Sequence, residues 1–189
     1  RMKRFLAPIL LVTLLFPSLA LAASRGLEMD DLVLREGLYY ERFTDVPFSG
    51  KIEGLQRGSF KDGKKEGPWV DYYENGQLWW KKIYKDGKWD GPWVGYHENG
   101  QLWMKGTLKD GEWDGLWVEY HENGQLFREE TYKDGEPDGP WVRYFYNGQL
   151  WWEGIFKDGK KDGPWVGLNK DGTVDNVLTG TYKDGVKVE

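Results

Sequence analysis

The chain has 189 residues, enough for one ordinary domain, and is rich in glycine (26), tryptophan (12) and aromatic residues generally (16%). It contains no cysteine, which excludes disulfides, thiolate metal sites, cysteine nucleophiles and lipidation on cysteine. The formal net charge of −5 is a poor match for nucleic acid or an anionic membrane surface, both of which reward positive charge.

Residues 1–22 read as a secretory signal peptide. Lys3 and Arg4 precede an apolar run from Phe5 to Phe16, Pro17 breaks the run, and Ala20-Leu21-Ala22 fits a small-x-small cleavage site. The alternative is an uncleaved anchor, because apolar residues continue to Ala23 and that length nearly spans a bilayer. Removing the segment takes Arg1, Lys3 and Arg4 and no acid, leaving 23 basic against 31 acidic residues, a net of −8. The expected location is periplasmic or secreted, with membrane contact only through this segment if it is retained.

Residues 23–57 form an N-terminal capping segment. Its stretch "LYYERFTDVPFSGKIEG" lacks the turn that marks the units that follow, yet it joins them through Phe60-Lys61-Asp62-Gly63. From 58 to 165 one unit repeats. "NGQL" begins at Asn75, Asn99, Asn123 and Asn147, and "GPW" or "GLW" at Gly67, Gly91, Gly115, Gly139 and Gly163, always 24 residues apart. "KDG" keeps the same step from Lys61 to Lys157. A fixed period of this size marks a repeat array. The C-terminal 166–189 is a degenerate capping repeat, whose last KDG starts at Lys183, 26 residues after Lys157. That offset predicts a bulge or a longer turn.

Within a unit, "WVGYHENGQLWMKGTL" (93–108) has two runs rich in β-branched and aromatic residues around Asn99-Gly100. Asn-Gly is the strongest short hairpin signal, because both turn residues of the two-residue turn need φ > 0. "KDGEWDG" (109–115) then reverses the chain again. Glycine recurs too often for a helix. The expected fold is all-β: tandem 24-residue hairpins forming an elongated, twisted antiparallel meander sheet. A two-residue turn would pair Tyr96 with Trp103, Gly95 with Met104 and Val94 with Lys105. One face would carry Val94, Tyr96 and Trp103, the other Trp93, Gly95, His97 and Met104. Trp69, Trp93, Trp117, Trp141 and Trp165 would form a ladder of packing rings.

Little in the array points to catalysis. The only histidines, His97 and His121, share a column with Tyr73 and Phe145, which marks them first as packing rings. No serine sits in a G-x-S-x-G elbow. "NKDGTVD" (169–175) fails as a calcium loop, because Leu178 stands where a bidentate Glu is needed. Acids are scattered over every repeat, whereas an enzyme needs one singular place. No enzyme activity, metal or cofactor is expected.

Recognition belongs at positions that vary among similar units. On the Trp93 face, Asp71, Gly95, Glu119 and Arg143 vary, as do Trp80, Met104, Arg128 and Trp152 opposite them and Lys82, Gly106, Glu130 and Gly154 beyond. Glu119–Arg128 should be an opposed ion pair and Arg143–Trp152 a cation–π pair. The candidate partner-binding residues are Asp71, Trp80, Met104, Glu119, Arg128, Arg143 and Trp152, with the tryptophans and Met104 as apolar anchors. The plainer reading is a set of solvated, compensated surface pairs.

The pattern G-x-W-x-x-[YF]-x-x-N-G-x-L followed by [YF]-K-D-G, carried by Gly67, Trp69, Tyr72, Asn75, Gly76, Leu78 and Tyr84 and their equivalents, resembles the MORN repeat. It looks most like the bacterial variant found in YwqK-type antitoxin proteins. The resemblance covers about residues 58–189. It implies stacked hairpins, no catalysis, and a scaffold that binds protein or lipid; for antitoxins of this type the partner is a toxin. The expected function is an exported interaction scaffold with an antitoxin- or immunity-like role. The alternative is a cell-envelope glycan-binding module, since short repeats rich in Trp, Tyr and Gly also occur in cell-wall-binding proteins.

Overall fold

The computed structural model describes residues 26–189; the signal-peptide reading of residues 1–22 lies outside the described residues. A single 3-10 turn, Met29–Asp31, leads into a small two-stranded ladder of β1 (Leu32–Arg35) and β2 (Leu38–Glu41). Everything after belongs to one 16-stranded antiparallel sheet. It begins with β3 (Gly50–Ile52), β4 (Gln56–Lys61), β5 (Lys64–Tyr72) and β6 (Leu78–Lys85). It continues through β7 (Lys88–Trp89), β8 (Gly91–Tyr96), β9 (Leu102–Lys109), β10 (Glu112–Trp113), β11 (Gly115–Tyr120) and β12 (Leu126–Lys133). It closes with β13 (Glu136–Tyr144), β14 (Leu150–Lys157), β15 (Lys160–Lys161), β16 (Gly163–Gly167), β17 (Gly180–Lys183) and β18 (Val186–Lys187). Spatial order follows chain order, so the sheet is a meander, with the two-residue strands β7, β10 and β15 each pairing back on the preceding strand. The expected all-β hairpin array is the observed fold.

The two turns of each repeat exchange the roles the sequence assigns them. The two-residue turn with both residues at φ > 0 is Asp-Gly: Lys109 pairs with Glu112, and Asp110 and Gly111 have φ of 52° and 91°. Asp and Gly are the residues that tolerate this geometry. At Asn99-Gly100 only the glycine has positive φ. Gly100 N–H donates to His97 O and His97 N–H to Gln101 O, both at 2.8 Å, closing a three-residue loop of Glu98, Asn99 and Gly100. Asn99 has a local task instead. Its Oδ1 accepts from Gln101 N at 2.9 Å, and its Nδ2 donates to Glu122 O in the next repeat at 3.2 Å. Asn123 repeats both bonds, the second to Tyr146 O, whereas Asn75 keeps the first and donates its Nδ2 to the Glu98 carboxylate at 3.5 Å.

The extra turn residue corrects the expected register. Tyr96 lies opposite Leu102, not Trp103, and a bulge then restores Gly95 to Met104 and Val94 to Lys105. Two offsets of one residue cancel, so the register is right beyond the bulge and wrong before it. Trp103, left without an opposite partner, turns onto the face of Trp93, 5.0 Å from Trp80. The expected Tyr96–Trp103 column is replaced by pairs one residue later: Tyr73–Trp79 at 5.4 Å, His97–Trp103 at 5.8 Å, His121–Phe127 at 4.8 Å and Phe145–Trp151 at 5.3 Å.

The core lies on the aromatic face. The N-terminal segment covers one end, where Leu32, Phe48, Ile52, Phe60, Trp69 and Tyr84 are buried together. It is tied down by Tyr39 N–H to Gly63 O and Gly63 N–H to Phe48 O, both 2.8 Å. At the other end the Asn169–Gly172 turn keeps the usual geometry, with Gly172 N–H on Asn169 O at 2.9 Å. The two extra residues fall later, between the Leu168–Val174 bridge and β17, as the longer connection that the spacing predicts.

Candidate functional site

The aromatic face is built on a close approach between rings and backbone. Trp80 lies flat over Gly95, where a Cβ would sit 2.1 Å from its ring, and Trp69 and Trp165 lie over Gly58 and Gly154 at 2.3 and 2.2 Å. Glycine at these cross-strand positions lets an indole rest on the sheet and stack on its neighbour. Trp80 stacks on Trp93 at 4.6 Å and 17°, and Trp93 meets Trp117 at 4.9 Å. Trp69, Trp141 and Trp165 each donate their indole N–H to a carbonyl on the neighbouring strand of the sheet, β4, β12 and β14 respectively. The constant tryptophans are therefore the frame.

The seven residues singled out in the sequence all project from this face, and the structure sorts them. Met104 is buried in the Trp93 cluster. Asp71 is buried too, its Oδ2 2.5 Å from Lys82 Nζ and its Oδ1 without a partner. Trp80, Glu119, Arg128, Arg143 and Trp152 are half-buried. Glu119 and Arg128 form the expected opposed pair at 2.6 Å, and Arg143 lies over the Trp152 ring at 5.1 Å.

Glu130 holds these together, although the sequence offers it only as one variable position among several. It occupies the slot beside Trp117 and Trp141 that glycine fills beside Trp93, and it is 0% exposed. It accepts from Arg128 Nη1 at 3.1 Å, Arg143 Nη2 at 2.7 Å and Tyr132 Oη at 2.9 Å. A buried carboxylate is tolerable only when paired and hydrogen-bonded in this way. Burial, followed by Glu130, pushes the Tyr132 hydroxyl far above its ordinary range. For Arg128, burial pulls the guanidinium down, but Glu130 and Glu119 outweigh it and the net shift is upward. Both guanidiniums stay partly open, with side chains 25% and 27% exposed. The strip is thus an ordered network seated in the ring layer, more enclosed than solvated surface pairs would be.

The histidines pack as rings. His97 donates from Nε2 to Tyr120 O at 3.1 Å, as Tyr73 Oη does to Tyr96 O, and His121 sits between Phe127 and Tyr146. Among the described residues no three His, Asp or Glu side chains gather as a metal site. No helix there is long and apolar enough to cross a membrane.

The opposite face carries a shallow apolar groove of about 540 Å³, with Pro68, Val70, Ile83, Val94, Leu116 and Val118 among its lining. A second hollow of about 370 Å³ lies further along, beside Val142, Ile155 and Val166.

The family model of the MORN repeat variant matches residues 65–86, 89–110 and 113–134 in tandem. Each match covers 22 residues of one 24-residue unit of the sheet, from a strand through the Asn-Gly turn to the aspartate of the Asp-Gly turn, and the structure carries the same hairpin on through β13 and β14. A search of curated proteins finds no match.

Proposed function

We propose that the chain is a non-enzymatic interaction scaffold, exported to the cell envelope, that holds a partner protein on the strip formed by Trp80, Trp103, Arg128, Arg143 and Trp152. One observation carries this reading: Arg128 and Arg143 are fixed by buried Glu130 while remaining partly open, with Trp152 beside them. Arg and Trp dominate protein-binding hot spots. Here their rotamers are already locked, so docking costs little side-chain entropy. Asp71 and Met104 act beneath the surface as supports for Lys82 and the Trp93 stack. An inhibitor that neutralises a toxin by binding it is the finer form of the same proposal.

The test is a pair of variants, Trp152→Ala and Arg143→Ala, assayed for melting and for partner capture by a photo-crosslinking residue placed at position 80. Trp152→Ala should melt within a few degrees of the parent, Arg143→Ala should melt lower because it takes one of the two cations from buried Glu130, and both should lose the adduct. Retained adducts from both variants overturn the reading. The glycan alternative has its own support: Trp79 and Trp151 are the most exposed indoles, 39% and 38%, and stack flat on Tyr73 and Phe145, as sugar platforms would. Cosedimentation with peptidoglycan that Trp79→Ala and Trp151→Ala abolish would favour it.

A further inference from the structure

The face opposite the tryptophans carries a row of side chains whose charge reverses at its midpoint. Cross-strand partners share a face, so the row can be followed strand by strand. From β5 to β11 it runs Val70, Lys81, Val94, Lys105 and Val118. From β11 onward it runs Glu129, Val142, Glu153 and Val166. The valines come with the repeat, but the charges do not: the same repeat position is Lys, Lys, Glu, Glu in successive units. None of these four makes an ion pair among the described residues. The reversal falls at β11, the seventh of thirteen strands along the sheet.

The adjacent row on the same face is symmetric about the same strand. It reads Pro68, Ile83, Pro92 and Thr107 on one side of Leu116, and Thr131, Pro140, Ile155 and Pro164 on the other. Ile and Thr vary between units, yet they stand at equal distances from β11. Leu116 replaces the repeat's proline at the centre, and it is 53% exposed, while Ile155 is 44% exposed.

We infer that this face binds a second copy of the chain, face to face, about a two-fold axis running along β11. Two-fold axes in the plane of the contact come in two kinds here. An axis across the strands sets Lys81 and Lys105 against themselves. An axis along β11 sets Lys105 opposite Glu129 of the other copy and Lys81 opposite Glu153, with Val94 on Val142, Val70 on Val166, Ile83 on Ile155 and Leu116 on Leu116; Val118, 2% exposed, lies beneath the contact. Isologous contacts require this self-complementarity. A partner of one uniform charge would be repelled by half of the row. Of the acids beyond the proline row, Asp90 and Asp162 pair with Lys85 and Lys183 at 3.9 and 3.1 Å; Asp114 and Asp138 have no ion-pair partner among the described residues, and the axis sets Asp114 opposite itself at the rim of the contact, a repulsion that the Lys–Glu pairs nearer the middle must outweigh.

The extent is adequate. The nine strands from β5 to β16 span roughly 38 Å at about 4.8 Å spacing, and five residues along each span roughly 16 Å. Two copies therefore bury on the order of 1,200 Å², the lower end of specific interfaces. Aligned twisted sheets pack about 10 Å apart in this manner. The tryptophan faces point outward, so the dimer presents the partner strip twice. The inference does not rest on that strip, and the two fail separately.

Sedimentation equilibrium of the purified protein tests it. The parent should be a dimer that weakens with salt. Lys81→Glu with Lys105→Glu, and separately Glu129→Lys with Glu153→Lys, should each weaken self-association at least tenfold while keeping the parent's circular dichroism. An equimolar mixture of the two double variants should form a heterodimer, and the quadruple variant should dimerise again. Leu116→Asp should give a monomer. A parent that stays monomeric at roughly 100 µM, where a Kd near 1 µM leaves little monomer, overturns the inference. So does a dimer indifferent to both charge reversals.

Discussion

Gly95→Ala puts the ring-on-backbone arrangement to a quantitative test. Gly95 lies outside the left-handed region, so the backbone accepts alanine there and any cost comes from contact. The new Cβ would sit 2.1 Å from Trp80 Cζ3 and 2.5 Å from Cε3, whereas carbon atoms rest at about 3.5–4.0 Å. The indole must retreat by roughly 1.5 Å, and it cannot slide freely, with Trp93 at 4.6 Å and Trp103 at 5.0 Å. Overpacking of this kind costs about 1–3 kcal/mol, while replacing a strand glycine returns about 0.5–1 kcal/mol. The net loss should be about 1–2 kcal/mol, or about 2–8 °C in Tm for a chain of this size. Gly106→Ala is the control: its Cβ would meet Trp117 Cε3 at 3.0 Å and nothing else nearer than 3.6 Å, so its melting point should barely move. The assay is thermal melting followed by near-ultraviolet circular dichroism, which reports the indole stack. In a Trp80→Ala background the cost of Gly95→Ala should vanish. A Gly95→Ala protein as stable as its parent, or an equal cost in both backgrounds, refutes the reasoning.

Three further outcomes follow from the same face. Trp69→Ala removes a ring that is 0% exposed and should lose about 3–5 kcal/mol in urea unfolding, well beyond the effect of Trp152→Ala at a half-open position. Glu130→Ala strands two partly buried guanidiniums and should cost roughly 2–4 kcal/mol, somewhat less than breaking a wholly buried pair; it should also loosen Arg143 and weaken partner capture. Tyr132 has a folded pKa above its unfolded value, so its stabilising share is complete below about pH 10 and is lost as pH rises from there through the folded value. Melting measured from pH 9 upward should fall more steeply for the parent than for Tyr132→Phe.

The repeat and its hairpins are legible in the sequence because the Asn-Gly and Asp-Gly signals recur at a fixed step, and period-two alternation then assigns faces. The details missed share one cause. Asn99-Gly100 and Asp110-Gly111 look alike as dipeptides, yet only the second takes positive φ at both residues. Asn99 is selected instead for its side-chain bonds along the array. Trp103 changes face because a bulge must absorb the longer turn, and a bulge leaves no residue signature of its own. The Glu119–Arg128 and Arg143–Trp152 pairs were readable from register alone. The anchoring role of Glu130 was not, because it depends on Arg143 and Tyr132 converging from two strands onto one carboxylate. The charge-reversed row was present in the sequence as well, but it shows as a row only once each cross-strand pair is fixed.

The account turns on a division of labour between the two faces of one sheet, and a photo-crosslinking scan in the native cell measures that division directly. Probes at positions 152, 116 and 109 report the tryptophan face, the opposite face and an Asp-Gly turn. The account predicts an adduct with a different protein from position 152, an adduct of twice the chain mass from position 116, and none from position 109. Adducts of one kind from all three positions, or foreign adducts from 116 and none from 152, would contradict it.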